Sequence, residues 1–218
     1  MFKWDVVLTY YPVLLEGALV TIKVSLLTII ISTILGTLVA MMRTSQIKLL
    51  KGITATYVWV FRGTPQLLVL FYIYYTFPSL GFTLSAFTAA IIGLSLNSTA
   101  YYSEIIRSGI EAIPKGQVES AIALGMSYGQ IFRKIILPQA VKIIIPPYIN
   151  NSVLLLKNSS LVSVITVSDL MLNAQQIYSA TYRPVEILTL AGVLYLAMTS
   201  AMMLFQRWAE KRLSYYER

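Results

Sequence analysis

Long runs without a charged residue alternate along the chain with short segments rich in Lys and Arg. The four longest uncharged runs cover residues 24–42, 63–103, 143–156 and 187–206. About 20 apolar residues suffice to cross a hydrocarbon layer of about 30 Å, and the second run is long enough for nearly two crossings. Pro78 and Gly81 lie inside that run and favour a turn there. The pattern therefore predicts five membrane-spanning helices.

The predicted spans have approximate limits, in chain order, of 13–42, 55–77, 83–107, 138–156 and 186–208. The fourth has the shortest uncharged run, and Pro146 and Pro147 interrupt it. We expect this span to be kinked, or to be lengthened at one end by residues 138–142. Non-helical backbone at membrane depth is tolerated only when it is buried in protein or lines a wet cavity.

The composition supports a single transmembrane domain over residues 1–218. The chain is 57% hydrophobic and 12% charged, whereas soluble domains have about 25% charged residues. The segment 1–5 does not resemble the start of a signal peptide, so we expect the first span to be retained.

Positive charge fixes the predicted orientation, because short cytoplasmic loops accumulate Lys and Arg. With five spans, the basic segments after span 1, between spans 3 and 4, and after span 5 fall on one side. Their members are Arg43, Lys48, Lys51, Arg107, Lys115, Arg133, Lys134, Arg207, Lys211, Arg212 and Arg218. The amino terminus is then external and the carboxyl terminus cytoplasmic. The net charge of +8 borders hydrophobic spans, so anionic headgroups fit it better than nucleic acid.

Missing residue types exclude several chemistries. The chain has no Cys and no His, which removes disulfides, thiolate nucleophiles, imidazole bases and Cys/His metal sites. It also lacks the Gly-rich phosphate loop that ends in Gly-Lys-Ser/Thr. We therefore expect no cofactor or metal on this chain, and any ATP-driven role requires another polypeptide.

A polar loop at about residues 111–137 separates predicted spans 3 and 4. Residues 117–124 favour a short helix that ends at Gly125, a residue suited to the left-handed conformation. Ser127 and Gln130 have the spacing of a capping box at the start of a second helix. Pro138 disfavours helix at the preceding residue and predicts a bend into span 4.

This loop reads Glu119-Ser120-Ala121, then Gly125, then Ile-Ile-Leu-Pro at 135–138. The spacing resembles the cytoplasmic EAA loop of permease subunits in ABC importers, although Ser120 replaces the first alanine of the family pattern. The resemblance implies a coupling helix in which Glu119, Ser120, Ala121 and Gly125 dock on an ATPase. It further implies that ATP and Mg are bound by partner ATPase subunits, where hydrolysis occurs, so that this chain is not an enzyme.

Further segments resemble the polar amino acid permeases within that group. They are Phe-Arg-Gly-Thr-Pro at 61–65, Asn-Ser-Thr-Ala-Tyr at 97–101, Glu-Ile-Ile-Arg at 104–107 and Lys-Asn-Ser-Ser-Leu-Val-Ser at 157–163. The resemblance implies a multi-pass subunit in the prokaryotic cytoplasmic membrane. Its implied partners are a second permease, identical or similar, two ATPases and an extracytoplasmic substrate-binding protein or domain.

The segment 61–65 also predicts a break inside span 2. Gly63 can end one helix, and Thr64 can cap a second helix whose first residue is Pro65. Arg62 would lie at the end of the first helix, where a positive charge meets exposed carbonyls. We interpret Lys157 as an external anchor at the membrane interface.

Four polar residues share one face of predicted span 3, namely Asn97, Tyr101, Glu104 and Ser108, at spacings of four, three and four. We hypothesise that this face lines a translocation path for an amino acid and that Glu104 attracts its positive group. The alternative is an internal ion pair between Glu104 and Arg107.

The substrate and the class of function stay open at this level. A carboxylate on the path favours the basic amino acids arginine, lysine and histidine. Glutamine, glutamate or another polar amino acid is the alternative. A passive channel or a membrane scaffold would also need these spans, whereas a membrane enzyme would need converging catalytic groups that the nine scattered acidic residues do not suggest.

Overall fold

The computed structural model describes residues 2–214, and all regular structure in this range is helical. We number the α-helices α1 to α9 in chain order. They are α1 Trp4–Thr44, α2 Lys48–Gly63, α3 Gln66–Phe71, α4 Ala86–Glu111, α5 Lys115–Ala123, α6 Tyr128–Ile131, α7 Leu137–Asn158, α8 Leu170–Thr181 and α9 Pro184–Ser214. Four further segments lie between them. Tyr72–Thr76 and Phe132–Ile136 are π-helical, and Phe77–Leu80 and Ser159–Ile165 are 3₁₀-helical.

Two helices in the described range are both long and apolar enough to cross a membrane, α1 and the part of α9 from Pro184 to Arg212. A third crossing results if Tyr128–Ile165 and Leu170–Thr181, which meet at a 53° bend, form one broken span. The helices α2 and α3 are each too short by themselves because the chain breaks between them. The number of five spans therefore stays a prediction.

Helix α1 is longer than the first predicted span, which was placed at 13–42. It has 41 residues and continues through Pro12. Its amino-terminal extension is stabilised by packing, since Val6 and Tyr10 lie against a buried cluster that includes Leu14 of α1, Leu170 of α8 and Ile187 of α9. These contacts explain why the helix extends beyond the uncharged run.

The predicted break in span 2 is confirmed, but the assignment of Thr64 as the N-cap of the second helix is wrong, since Thr64 is the C-cap residue of α2. Gly63 is the last residue of α2, Thr64 is extended, and Pro65 is the N-cap residue of α3 rather than its first helical residue. The Thr64 side chain makes no capping hydrogen bond. A residue that precedes proline is driven towards extended backbone, which accounts for the conformation of Thr64.

The prediction that Pro138 disfavours helix at Leu137 is also wrong. The π-helical segment Phe132–Ile136 leads directly into α7, whose first turn contains Pro138. Proline is tolerated in the first turn of an α-helix, where the N–H is not needed. Pro146 and Pro147 lie within α7, which continues to Asn158 and includes residues 138–142, as the lengthened form of span 4 predicted.

Helix α8 was not predicted from the sequence. Asp169 caps it by accepting a hydrogen bond from the backbone N–H of Leu172 at 2.9 Å. The Leu170 N–H donates to Thr21 Oγ1 of α1 at 3.2 Å. Because Leu170, Ala174 and Ile177 are buried against α1 and α9, this short helix is stabilised by packing that periodicity alone does not reveal.

A second buried cluster supports the region where polar residues converge. Leu70 of α3, Leu94 of α4 and Val162 of the second 3₁₀ segment are fully buried in it. At Gly93, an added Cβ would lie 2.8 Å from a methyl group of Leu70, so glycine permits the close approach of α3 and α4. This packing fixes α3 beside α4 and α7.

Candidate functional site

A cavity of about 310 Å³ lies between the α2–α3 break, α4 and α7. Its lining is mainly polar in residue type, with four side-chain amides, two hydroxyl-bearing residues, one tyrosine and one arginine. These residues are Gln66, Asn97, Asn151, Asn158, Thr64, Ser98, Tyr101 and Arg62. Such a concave site with several convergent polar groups is typical of small-molecule binding.

The break between α2 and α3 is stabilised by Asn97. Pro65 has no N–H, so the Phe61 carbonyl lacks its usual partner four residues ahead. The Asn97 amide Nδ2 donates to this carbonyl at 2.6 Å. Asn97, which is buried, therefore contributes to the shape of the cavity wall as well as to its lining.

Three amides of the lining escaped the sequence reasoning, those of Gln66, Asn151 and Asn158. The Asn158 Nδ2 donates to Gln66 Oε1 at 3.2 Å, which links α7 to α3. The other polar atom of Gln66, Nε2, is buried and has no hydrogen-bond partner among the described residues. An amide within an otherwise apolar run could have indicated each of these residues as a site candidate. The sequence analysis selected only the amide on predicted span 3, that of Asn97.

Arg62 lies between the cavity and an ion-pair cluster. Its guanidinium lies over the ring of Tyr101, 5.3 Å from the ring centroid. One of its nitrogens lies 3.6 Å from Glu104 Oε2, and 45% of the side chain is exposed. Arg62 therefore does more than offset the carbonyls at the end of α2, the local role expected from the sequence.

Glu104 is the centre of that cluster. It contacts Arg43 of α1 through Oε1 and Arg107 through both oxygens, at 3.0 Å to Oε2 and 3.2 Å to Oε1. Arg107 also contacts Glu111. The cluster therefore contains the guanidinium groups of Arg43, Arg62 and Arg107 and the carboxylates of Glu104 and Glu111. Its formal charge is +1.

The predicted polar face of span 3 is thus divided in the structure. Asn97 and Tyr101 line the cavity. Glu104 lies one turn further along α4, within the ion-pair cluster, and the pairing with Arg107 is present. Ser108 is exposed beyond it and donates to the carbonyl of Ile105 in its own helix, at 3.0 Å.

The polar loop forms a second candidate site, and its predicted short helix, left-handed glycine and capping box are confirmed. Helix α5 is followed by Gly125 with a φ of 76°, and Ser127 and Gln130 form a capping box at α6. The Ser127 N–H donates to Gln130 Oε1 at 2.9 Å, and the Gln130 N–H donates to Ser127 Oγ at 3.4 Å.

Exposure corrects the list of predicted contact residues on this loop. Glu119, Ser120 and Gly125 are exposed, whereas Ala121 is only 2% exposed. Ala121 packs inside the chain and cannot present its side chain to a partner. The most exposed apolar side chains nearby are Leu124 at 82% and Tyr128 at 80%, which the sequence analysis did not select.

A hydrogen bond ties this loop to the helix that borders the cavity. The Gln139 amide Nε2 donates to Gln117 Oε1 of α5 at 2.7 Å and to the carbonyl of Ile135 at 2.9 Å. Gln139 lies in the first turn of α7, the helix that carries Asn151 and Asn158. Helix α7 therefore connects α5 directly to the cavity lining.

Similarity to known proteins extends along nearly the whole chain. Residues 15–215 match the family model described as binding-protein-dependent transport system inner membrane component. The chain is 41% identical to the arginine transport system permease protein ArtQ of Bacillus subtilis (strain 168), with 93% of each chain covered. It is 37% identical to the L-cystine transport system permease protein TcyB of the same organism, over 98% of this chain and 92% of the relative.

A solved structure shares the fold closely. The chain superposes with a TM-score of 0.92 on a chain from the crystal structure of an amino acid ABC transporter with histidines, at 37% identity. The match covers 97% of this chain and 99% of that chain. The chain therefore belongs to the family of inner-membrane permease components of binding-protein-dependent ABC transport systems.

Proposed function

We propose that this chain is the membrane subunit of an ATP-driven importer of polar amino acids and that the substrate passes through the cavity between α2, α3, α4 and α7. The observation that carries this proposal is the amide-rich lining beside the partly exposed guanidinium of Arg62. Relatives named for arginine and for L-cystine support an amino acid as the substrate class.

The cavity offers complementary groups to both ends of a free amino acid. A carboxylate is bound well by a guanidinium and by amide N–H donors, since hydrogen bonds with an ionised partner are the strong ones. Arg62 and the amide of Asn151, which line the cavity, supply such donors. The side-chain carbonyl oxygens of Asn151 and Asn158 can accept from the ammonium group.

Glu104 has two proposed roles. The first is to hold Arg62 and Arg107 in place through the ion pairs described above. The second, suggested by the sequence, is direct attraction of a positive group on the substrate, which requires Arg62 to move away from the carboxylate. A preference for basic over neutral amino acids rests on this second role.

The proposed topology has five spans, formed by α1, the pair α2–α3, α4, α7 and α9. The amino terminus is external and the carboxyl terminus is cytoplasmic, as the Lys and Arg distribution indicates. The polar loop with α5 and α6 is then cytoplasmic. This placement makes α5 accessible to an ATPase, and it leaves the α2–α3 break along the wall of the polar cavity, where irregular backbone is tolerated at membrane depth.

We further propose that α5 is the coupling helix. Glu119, Ser120, Gly125, Leu124 and Tyr128 contact an ATPase subunit that binds ATP and Mg, while Ala121 positions the helix. Closure of the ATPases displaces α5, and the hydrogen bond between Gln117 and Gln139 passes that displacement to α7. A second permease subunit and an external substrate-binding protein or domain complete the importer.

The decisive experiment is ATP-driven uptake in vesicles. The chain is copurified with its ATPase, reconstituted with its substrate-binding protein, and tested by competition across basic, amide and acidic amino acids. We expect uptake that needs ATP and is inhibited by at least one of these groups. Transport of a sugar or metal instead contradicts the substrate class, and uptake without any ATPase indicates a passive channel.

A pair of variants tests Arg62 within the same assay. Arg62→Gln removes the positive charge proposed to bind the carboxylate of the substrate. We therefore expect the KM for the substrate to rise about tenfold or more, which corresponds to a loss of about 1.4 kcal/mol in binding free energy. Arg62→Lys keeps the charge and serves as the control with a smaller increase. An unchanged KM in Arg62→Gln would remove Arg62 from the binding site.

A further inference from the structure

Arg62 is the one charged residue in the lining of the cavity, among the residues that the structure describes. The other polar members of the lining are side-chain amides and hydroxyl groups, all of them neutral. No carboxylate within residues 2–214 belongs to this lining. A negative group of a bound molecule therefore meets a guanidinium in the cavity, whereas a positive group meets neutral oxygens.

The carboxylate of Glu104, beside Arg62, is already paired. Its Oε2 lies 3.6 Å from Arg62 and 3.0 Å from Arg107, and its Oε1 contacts Arg43. Only 18% of the Glu104 side chain is exposed. A cationic group on the substrate would have to displace one of these guanidinium groups and leave it unpaired. Because an unpaired charge in a partly buried site is costly, Glu104 is not available to a second positive group.

The ion-pair cluster has one guanidinium in excess, and the geometry identifies it as that of Arg62. Arg43 contacts Glu104, and Arg107 is shared between Glu104 and Glu111. Arg62 has the longest ion-pair distance, 3.6 Å, and its side chain is 45% exposed, against 20% for Arg43 and 25% for Arg107. Arg62 is therefore the arginine that has capacity for a further carboxylate.

The charges of a free amino acid can be matched to these groups one by one. Its carboxylate pairs with Arg62. The Asn158 Nδ2 donates to Gln66 Oε1 at 3.2 Å, which leaves the side-chain oxygen of Asn158 to accept from the ammonium group. A second positive group then finds no carboxylate in the lining, and a second negative group finds no second guanidinium. A neutral side chain with donors and acceptors meets the remaining amides and hydroxyl groups.

We infer that the cavity selects amino acids with an uncharged polar side chain, of which the amides glutamine and asparagine fit best, and that it disfavours basic amino acids because its lining lacks a carboxylate. The inference rests on the proposed function and deepens it, because it names the substrate class of the same cavity. The formal charge of +1 on the ion-pair cluster adds to the discrimination, since like charges repel. Glu104 then has the first of its two proposed roles, which is to hold Arg62 and Arg107 in place.

The test measures binding to the purified complex of this chain with its ATPase. The substrate-binding protein is left out, so that its own selectivity does not enter the result. Radiolabelled glutamine, glutamate, arginine and lysine are each equilibrated with the complex by dialysis. We expect glutamine to bind about tenfold or more tightly than arginine and lysine, because like-charge repulsion opposes the basic side chains. Glutamate should bind with intermediate affinity.

Asn158→Asp tests the cause of this order, since it keeps the size of the side chain and adds a carboxylate to the lining. Rotation of the Gln66 amide lets its Nε2, which has no partner within the described residues, donate to the new carboxylate. We expect the affinity for arginine and lysine to rise about tenfold or more and the affinity for glutamine to fall. Gln176→Glu is the matched control, because this exposed residue of α8 gains the same charge outside the cavity lining. It should keep the wild-type order.

Copurification of the ATPase shows whether each variant is assembled. Asn151→Asp, in the same lining, replaces Asn158→Asp if that variant fails this check. An assembled variant without a gain in arginine or lysine binding overturns the inference. The wild-type order tests it independently of both variants, since arginine or lysine bound as tightly as glutamine also overturns it.

Uptake by the full importer keeps the two proposals apart. ATP-driven uptake of arginine or lysine, together with their tight binding to the complex, contradicts the uncharged substrate class and leaves the proposed function intact. Binding of none of the four amino acids contradicts both proposals, because both place the substrate in this cavity.

Discussion

The Asn97 amide donates a hydrogen bond of 2.6 Å to the carbonyl of Phe61, which Pro65 leaves without a helical partner. One polar side chain of α4 thereby stabilises the interruption of another helix. The same asparagine lines the cavity, so the break and the candidate binding site depend on a shared residue. Tyr57 adds a second link between the helices, since its hydroxyl donates to the carbonyl of Leu96 at 2.6 Å.

Replacing Asn97 by Ala should therefore destabilise the break between α2 and α3. The Phe61 carbonyl would lose its partner in a partly buried site, which costs about 1 kcal/mol. We expect a lower midpoint of thermal unfolding in detergent and reduced amino acid uptake. Ser98→Ala is the matched control, because Ser98 is a buried neighbour for which no hydrogen bond is seen in the described structure. Equal midpoints for the two variants would contradict the role of Asn97.

Replacing Glu104 by Gln should reduce uptake more than assembly. The variant keeps the size of the side chain but removes the charge that faces three arginines. Loss of hydrogen bonds to charged groups costs about 1.5–3 kcal/mol, which corresponds to a decrease of about 10- to 100-fold in transport efficiency.

Glu111→Gln is the control for Glu104, since Glu111 pairs with Arg107 but is 51% exposed. Exposed ion pairs contribute about 0–1 kcal/mol, so we expect little change. Initial uptake rates over a range of substrate concentrations measure the effect on transport. The amount of copurified ATPase measures the effect on assembly. Normal uptake at low substrate concentration in Glu104→Gln would reject both proposed roles of this residue.

Gly17 allows α1 and α8 to approach closely, and Gly17→Ala should separate them. An added Cβ would lie 2.8 Å from Asn173 Nδ2 and 2.9 Å from the Asp169 carbonyl oxygen. Overpacking of this kind costs about 1–3 kcal/mol. Gly192→Ala in α9 is the control, because a Cβ there would meet no atom within 4 Å. We expect thermal midpoints to fall for Gly17→Ala and to be unchanged or higher for Gly192→Ala.

Leu124→Ser should weaken the contact with the ATPase without unfolding the chain. Leu124 is 82% exposed, so its replacement removes little internal packing. An apolar residue at the centre of an interface contributes more than about 1 kcal/mol when it is a principal contact. We therefore expect several-fold less ATPase in pull-down experiments.

Leu49→Ser provides the comparison for Leu124, since Leu49 is 71% exposed in the first turn of α2, also on the predicted cytoplasmic side. ATPase recovery should be normal in this variant. Equal recovery with Leu124→Ser and Leu49→Ser would show that Leu124 does not take part in docking.

Three features were predictable without tertiary information: the helical membrane class, the break near Pro65, and the short helix and capping box of the loop at 111–137. Each depends on composition or on neighbouring residues, such as Ser127 with Gln130, so no distant contact is needed to infer it. The resemblance seen in the loop and in segments such as 61–65 agrees with the family match over residues 15–215.

The contacts among the polar residues, in contrast, depend on how the helices pack. Arg43 and Arg62 reach Glu104 from two other helices, at sequence separations that periodicity cannot connect, and Gln66 meets Asn158 across 92 positions. Packing likewise decided that α8 forms and that Ala121 is buried. Side-chain partners and burial depend on the mutual placement of helices, whereas a local pattern specifies only the helix and its faces.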